Sequence, residues 1–149
     1  ARGFAAAAVV AGRVFVIGGA TSSGPVAVTE AYSPEADTAQ GNGWETLAPM
    51  PASGDHVNAA VVADTILVFG GGLDDADAIH VGYNATDDAW VRLDAPAGDS
   101  TFPTEAGVVA LGPLVHLIGG RQGDAPLASH VTYQAIYVSF IPFVESGDR

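Results

Sequence analysis

The 149-residue chain has no cysteine and one methionine, and 17 acidic residues against five arginines leave a formal charge of −12. With no lysine it lacks the basic footprint that nucleic acid or an anionic membrane surface would need, and without thiols it makes neither disulfides nor thiolate metal sites. Its 48% hydrophobic content and 19 glycines fit one folded, turn-rich domain, and no apolar run is long enough to span a membrane as a helix.

The chain starts at Ala1 without an initiator methionine or a signal peptide, which reads as processing or excision from something longer. A first apolar run, Ala5 to Val10, turns at Ala11-Gly12 into Val14-Phe15-Val16-Ile17, which ends on Gly18-Gly19. Tyr32 follows, and Trp44 closes the unit after a longer loop expected from Glu35 to Gly43. The plan recurs as Asn58 to Ala63, a turn at Ala63-Asp64, Ile66-Leu67-Val68-Phe69, Gly70-Gly71, Tyr83 and Trp90. It recurs again as Gly107 to Leu111, a turn at Gly112-Pro113, Val115-His116-Leu117-Ile118, Gly119-Gly120, Tyr133 and Phe140. Each unit predicts four short strands, because the runs are β-branched or alanine-rich, bounded by turn residues, and show no helical period. The Gly-Gly pair marks a strand end where backbones crowd and no side chain fits.

A Gly-Gly pair after an apolar run, a tyrosine about 13 residues on and a tryptophan on the last strand resemble the kelch repeat of β-propellers. Tyr32-Ser33-Pro34 is similar to the Tyr-Asp-Pro turn of that family, and Arg2 stands where the family often has arginine. The resemblance implies an all-β fold of three four-stranded blades: 2–51, 54–98 and 103–144. A propeller ring has about four to eight blades. Three blades leave the outer faces of the first and third without a neighbour, and apolar surface of that extent demands a cover. Ile136 to Val144 is apolar on both faces, so Ile136, Tyr137, Val138, Phe140, Ile141, Phe143 and Val144 are the expected self-association strand.

The resemblance also puts the loops after the Gly-Gly pairs and between blades on one binding rim, bearing Asp74, Asp75, Asp77, Arg121 and Asp124, with Asp55 and Asp99. Leu73-Asp74-Asp75-Ala76-Asp77 reads as a solvated acidic loop, since it lacks the glycine and terminal glutamate of an EF-hand. Asn84-Ala85-Thr86 is a glycosylation sequon on an expected turn. His80 and His130 hold one repeated position, filled by Thr29 in the first unit, and read as structural. His116 falls where Phe15 and Leu67 stand and is expected to be partly buried against an adjacent blade. His56 is expected to be exposed. Glu30 and Glu105 are the only weak candidates for carboxylates at a channel mouth. No catalytic, cofactor or metal set emerges, and the cysteine-dependent copper chemistry of some kelch-like propellers is excluded. The expected function is non-enzymatic: a propeller unit that self-associates into a ring or an extracellular fibre. The alternatives are a protein- or glycan-binding module, or a fragment of a carbohydrate-active enzyme.

Overall fold

The computed structural model describes residues 1–39, 41–71, 79–93 and 102–135. β1 (Ala6–Val10) and β2 (Arg13–Ile17) form a hairpin closed by Ala11 at φ 49° and Gly12 at φ 76°. Positive φ at both central residues gives the turn the twist of its strands. A two-residue hairpin follows, β3 (Ala20–Thr21) with β4 (Gly24–Pro25), and then β5 (Thr29–Thr38) and β6 (Gly41–Leu47). The first sheet is antiparallel, in the order β1-β2-β5-β6. The second holds β7 (Val57–Val62), β8 (Thr65–Gly70), β9 (Ile79–Asn84) and β10 (Ala89–Arg92), again in sequence order. In the third, β11 (Gly107–Leu111) and β12 (Leu114–Ile118) precede a hairpin of β13 (Arg121–Gln122) and β14 (Ala125–Pro126), and β15 (His130–Gln134) then pairs with β12. The fold is therefore all-β and built of kelch-like blades, as the repeat implies. The fourth strand expected around Phe140 lies outside the described residues, as does every residue of the expected self-association strand.

One expectation is corrected. Glu35 to Gly43 is not simply a loop, because β5 runs on to Thr38 and β6 begins at Gly41. Tyr32 pairs with Trp44 and Asp37 with Asn42, so five steps along β5 match two along β6 and the surplus forms a bulge. The Tyr32 hydroxyl donates to the Asp37 carboxylate at 2.6 Å across it. The extra residues thus lengthen a hairpin instead of leaving it.

The Gly-Gly pairs behave as crowding demands. A Cβ on Gly19 (φ 96°) would stand 2.6 Å from the carbonyl oxygen of Gly3, and one on Gly120 (φ 92°) 2.5 Å from that of Thr104. Both acceptors lie 16 residues earlier, in the segment that enters the blade, so one close backbone approach is built twice.

The blades stack in chain order. One face of the first, with Ala6, Ala8, Val10, Phe15, Ile17 and Ala31, packs on Val57, Ile66, Val68, Ile79, Val81 and Tyr83 of the second. The opposite face of the second, with Ala60, Val62, Leu67 and Phe69, packs on Phe102, Ala106, Val115 and Leu117. β8 therefore reads as an unbroken apolar run with both sides buried, unlike the alternating pattern of β11. β7 lies beside both β1 and β11, so the first strands of the three blades line one side of the stack.

Candidate functional site

Three residues just before these first strands share an unusual backbone. Phe4, His56 and Glu105 have φ of 58°, 50° and 54°, in the left-handed region that side chains disfavour. Each stands 14 residues before the first glycine of its Gly-Gly pair, so they are one structural position in three blades. Such strain persists only where surrounding structure imposes it, and it concentrates at functional sites.

The adjacency of β1, β7 and β11 brings the three together. The rings of Phe4 and His56 stack with centroids 4.2 Å apart and planes 20° from parallel. On the other side, His56 Nε2 lies 3.9 Å from Glu105 Oε1, and His56 Nδ1 lies 3.3 Å from Asp55 Oδ1. With Ala5, Val57 and Asn58 they bound an open cavity of about 270 Å³. His56 is thus only partly exposed, against expectation, because it is wedged between an aromatic ring and two carboxylates.

Of the sequence-predicted rim, Asp74, Asp75, Asp77 and Asp99 lie outside the described residues. Arg121 and Asp124 do come together, but within one hairpin, where Arg121 Nη2 donates to the Asp124 carbonyl oxygen at 2.7 Å. Asn84 sits at the end of β9 with its side chain committed to the following turn. Its Oδ1 accepts from the Thr86 and Asp87 N–H groups at 2.9 and 3.2 Å, and its Nδ2 donates to Asp87 at 2.7 Å. Glu30 is taken by Arg2 at 2.6 Å. Arg2 also donates to the Val16 carbonyl oxygen and helps to line a second cavity with Val26 and Val28.

In the second blade the repeated histidine position packs against an aromatic ring. His80 meets Phe102 edge-on at 4.3 Å, and burial pushes its pKa down. His116 is partly buried as expected, yet it lies on a face that no blade covers among the described residues. Its Nδ1 stands 2.9 Å from His130 Nε2.

A tyrosine–aspartate clasp also repeats at five-residue spacing. Tyr83 donates to Asp88 Oδ1 at 2.7 Å, as Tyr32 does to Asp37. Burial, then the carboxylate, raises the Tyr83 pKa; the donated hydroxyl, then the Ala48 N–H, lowers that of Asp88. The Ala48 N–H reaches Asp88 at 2.8 Å and the Trp90 indole donates to the Ala48 carbonyl oxygen at 2.8 Å, so this clasp joins blade one to blade two. It is interface, not active site.

Sequence reasoning missed Phe4 and the equivalence of the three left-handed positions. The signal was the constant 14-residue offset; three dissimilar side chains hide it from a motif search. Among the described residues no group of three or more His, Asp or Glu is placed to hold a metal ion.

A family model described as "Kelch motif" matches residues 1–51. The chain is also similar to the "Rab9 effector protein with kelch motifs" of Gallus gallus, 30% identical over 118 residues. That alignment covers 75% of this chain and 31% of the relative, so the chain spans under a third of that protein's length.

Proposed function

The chain belongs to the kelch-repeat family, and from that premise we propose that it is a non-enzymatic, protein-binding module. The observation that carries the reading is the convergence of Phe4, His56 and Glu105. One strained position, repeated three times, points an aromatic, an imidazole and a carboxylate at one open cavity. Mixed polar and aromatic groups around a concavity suit recognition of a polypeptide segment. The similar protein is named an effector, which agrees with a role in binding.

Panning a displayed random-peptide library on the folded protein tests this. Selected peptides are expected to lose at least about tenfold in affinity on Phe4→Ala or His56→Ala, as anchor residues do, with the melting temperature held. Peptides indifferent to both substitutions overturn the reading.

A second reading has its own support in the end faces. Val109, Leu111 and Ile118 stand 53%, 72% and 55% exposed, on the face of the third blade that matches the buried faces of the first two. Association through the end blades, into a ring or an extracellular fibre, would cover them. Light scattering on the full chain and on a chain lacking residues 136–149 decides it. Equal, monomeric masses end this reading; a higher mass that the truncation abolishes supports it, with the terminal segment as the joint.

A further inference from the structure

We infer that the cavity at Phe4, His56 and Glu105 is a subsite for a guanidinium group, so that the bound segment presents an arginine side chain. The inference rests on the docking face proposed above and adds the chemistry of its ligand.

The argument starts from which carboxylates are already engaged. Glu30 and Glu45 are each held by an arginine at 2.6 Å, from Arg2 and Arg13. Glu105 is not: among the described residues no arginine lies within ion-pair distance of it, the His56 imidazole stands 3.9 Å away, beyond hydrogen-bond reach, and it accepts no hydrogen bond. Its side chain is 36% exposed at the cavity edge. At the other end, one face of Phe4 covers His56 while the residue stays 64% exposed. That leaves ring surface open among the described residues, on which an aliphatic stem or a cation can lie.

An open ring at one end and an unsatisfied carboxylate at the other match a long cationic side chain. Its aliphatic stem would cover Phe4, and its head would meet Glu105. Guanidinium suits the site better than ammonium for two reasons. It is planar and stacks on aromatic and imidazole faces, and its paired N–H groups fit both oxygens of a carboxylate. The second acidic group, Asp55, flanks the same imidazole at 3.3 Å and adds to the negative potential. Arg2, Arg13 and Arg121 are all bonded internally, and among the described residues no arginine lines the cavity to compete for it. A chain of net charge −12 also draws a basic segment from a distance.

The test uses N-acetyl-arginine methylamide as probe, with the citrulline analogue as its uncharged isostere, read by NMR on the ring protons of Phe4 and His56. Saturable shifts of both rings are expected for the arginine compound. Citrulline should bind at least about fivefold more weakly, and Glu105→Gln should weaken the arginine compound by a similar factor. Equal binding of arginine and citrulline, or an unchanged response in Glu105→Gln, overturns the subsite. Library peptides that need Phe4 and His56 yet show no dependence on arginine would sink the subsite while leaving the docking face standing. Peptides indifferent to Phe4 and His56 would remove both.

Discussion

Ile17, Phe69 and Ile118 hold one position in three blades, each just before a Gly-Gly pair, and their exposures are 0%, 1% and 55%. The local sequence around them is nearly interchangeable. The first two are covered by the next blade, and Ile118 has no next blade among the described residues. Burial in a stacked fold is therefore a property of the neighbour, and equivalent residues should carry very unequal energies.

The largest test of that contrast is truncation. Phe69→Ala should cost about 3–5 kcal/mol in denaturant unfolding, and Ile118→Ala less than about 1 kcal/mol, because only the first leaves a cavity. If the two cost the same, the third blade is covered in solution and end-face association gains ground. Glycines sharpen the same contrast between crowded and open sites. Gly19→Ala forces positive φ and a backbone clash together and should lose more than about 2 kcal/mol, whereas Gly12→Ala, with nothing within 4 Å, meets only the left-handed penalty of about 1 kcal/mol. Equal losses would mean that the loop before β1 yields to admit a methyl group.

The two clasps come next. Tyr83→Phe strips a donor from an aspartate that also ties blade one to blade two, and about 1–2 kcal/mol is expected; Tyr32→Phe, within one exposed hairpin, should cost about 0.5 kcal/mol or less. A thermal melt of each variant distinguishes them, and the reverse order would show that the inter-blade bond contributes little.

The smallest effect is a pH slope. Burial lowers the His80 pKa below its ordinary 6.5, so the folded state takes up a proton less readily than the unfolded chain. Stability should therefore fall as pH drops below 6.5, down through the lowered value. His80→Phe should flatten that window. Asp88 acts separately, since its depressed pKa confines its loss of stability to pH below the ordinary 3.8. An unchanged slope between neutral pH and 5 in His80→Phe would assign the effect to another group.

Much of the fold was legible because its signals are local. Alternating apolar runs, turn pairs and Gly-Gly stops fix the hairpins, and the pairing of Tyr32 with Trp44 and Tyr83 with Trp90 follows from their place on adjacent strands. The bulge after Tyr32 was not legible, since Glu35 to Gly43 carries loop residues that a side-chain hydrogen bond recruits into a strand. The candidate site was legible only in fragments. Glu105 was noticed as a carboxylate, His56 was expected to be wet, and Phe4 was passed over, because nothing in one blade announces what the next blade brings beside it.

The sequence by itself determined the period, the strand pairing and the need for glycine at the blade ends, since those follow from sterics and side-chain alternation within about 50 residues. Only the tertiary structure decided which apolar faces are dry and that an aromatic ring, an imidazole and a carboxylate from three blades share one cavity. Stacking sets distances between residues that the chain itself holds some 50 positions apart, and no local rule encodes those.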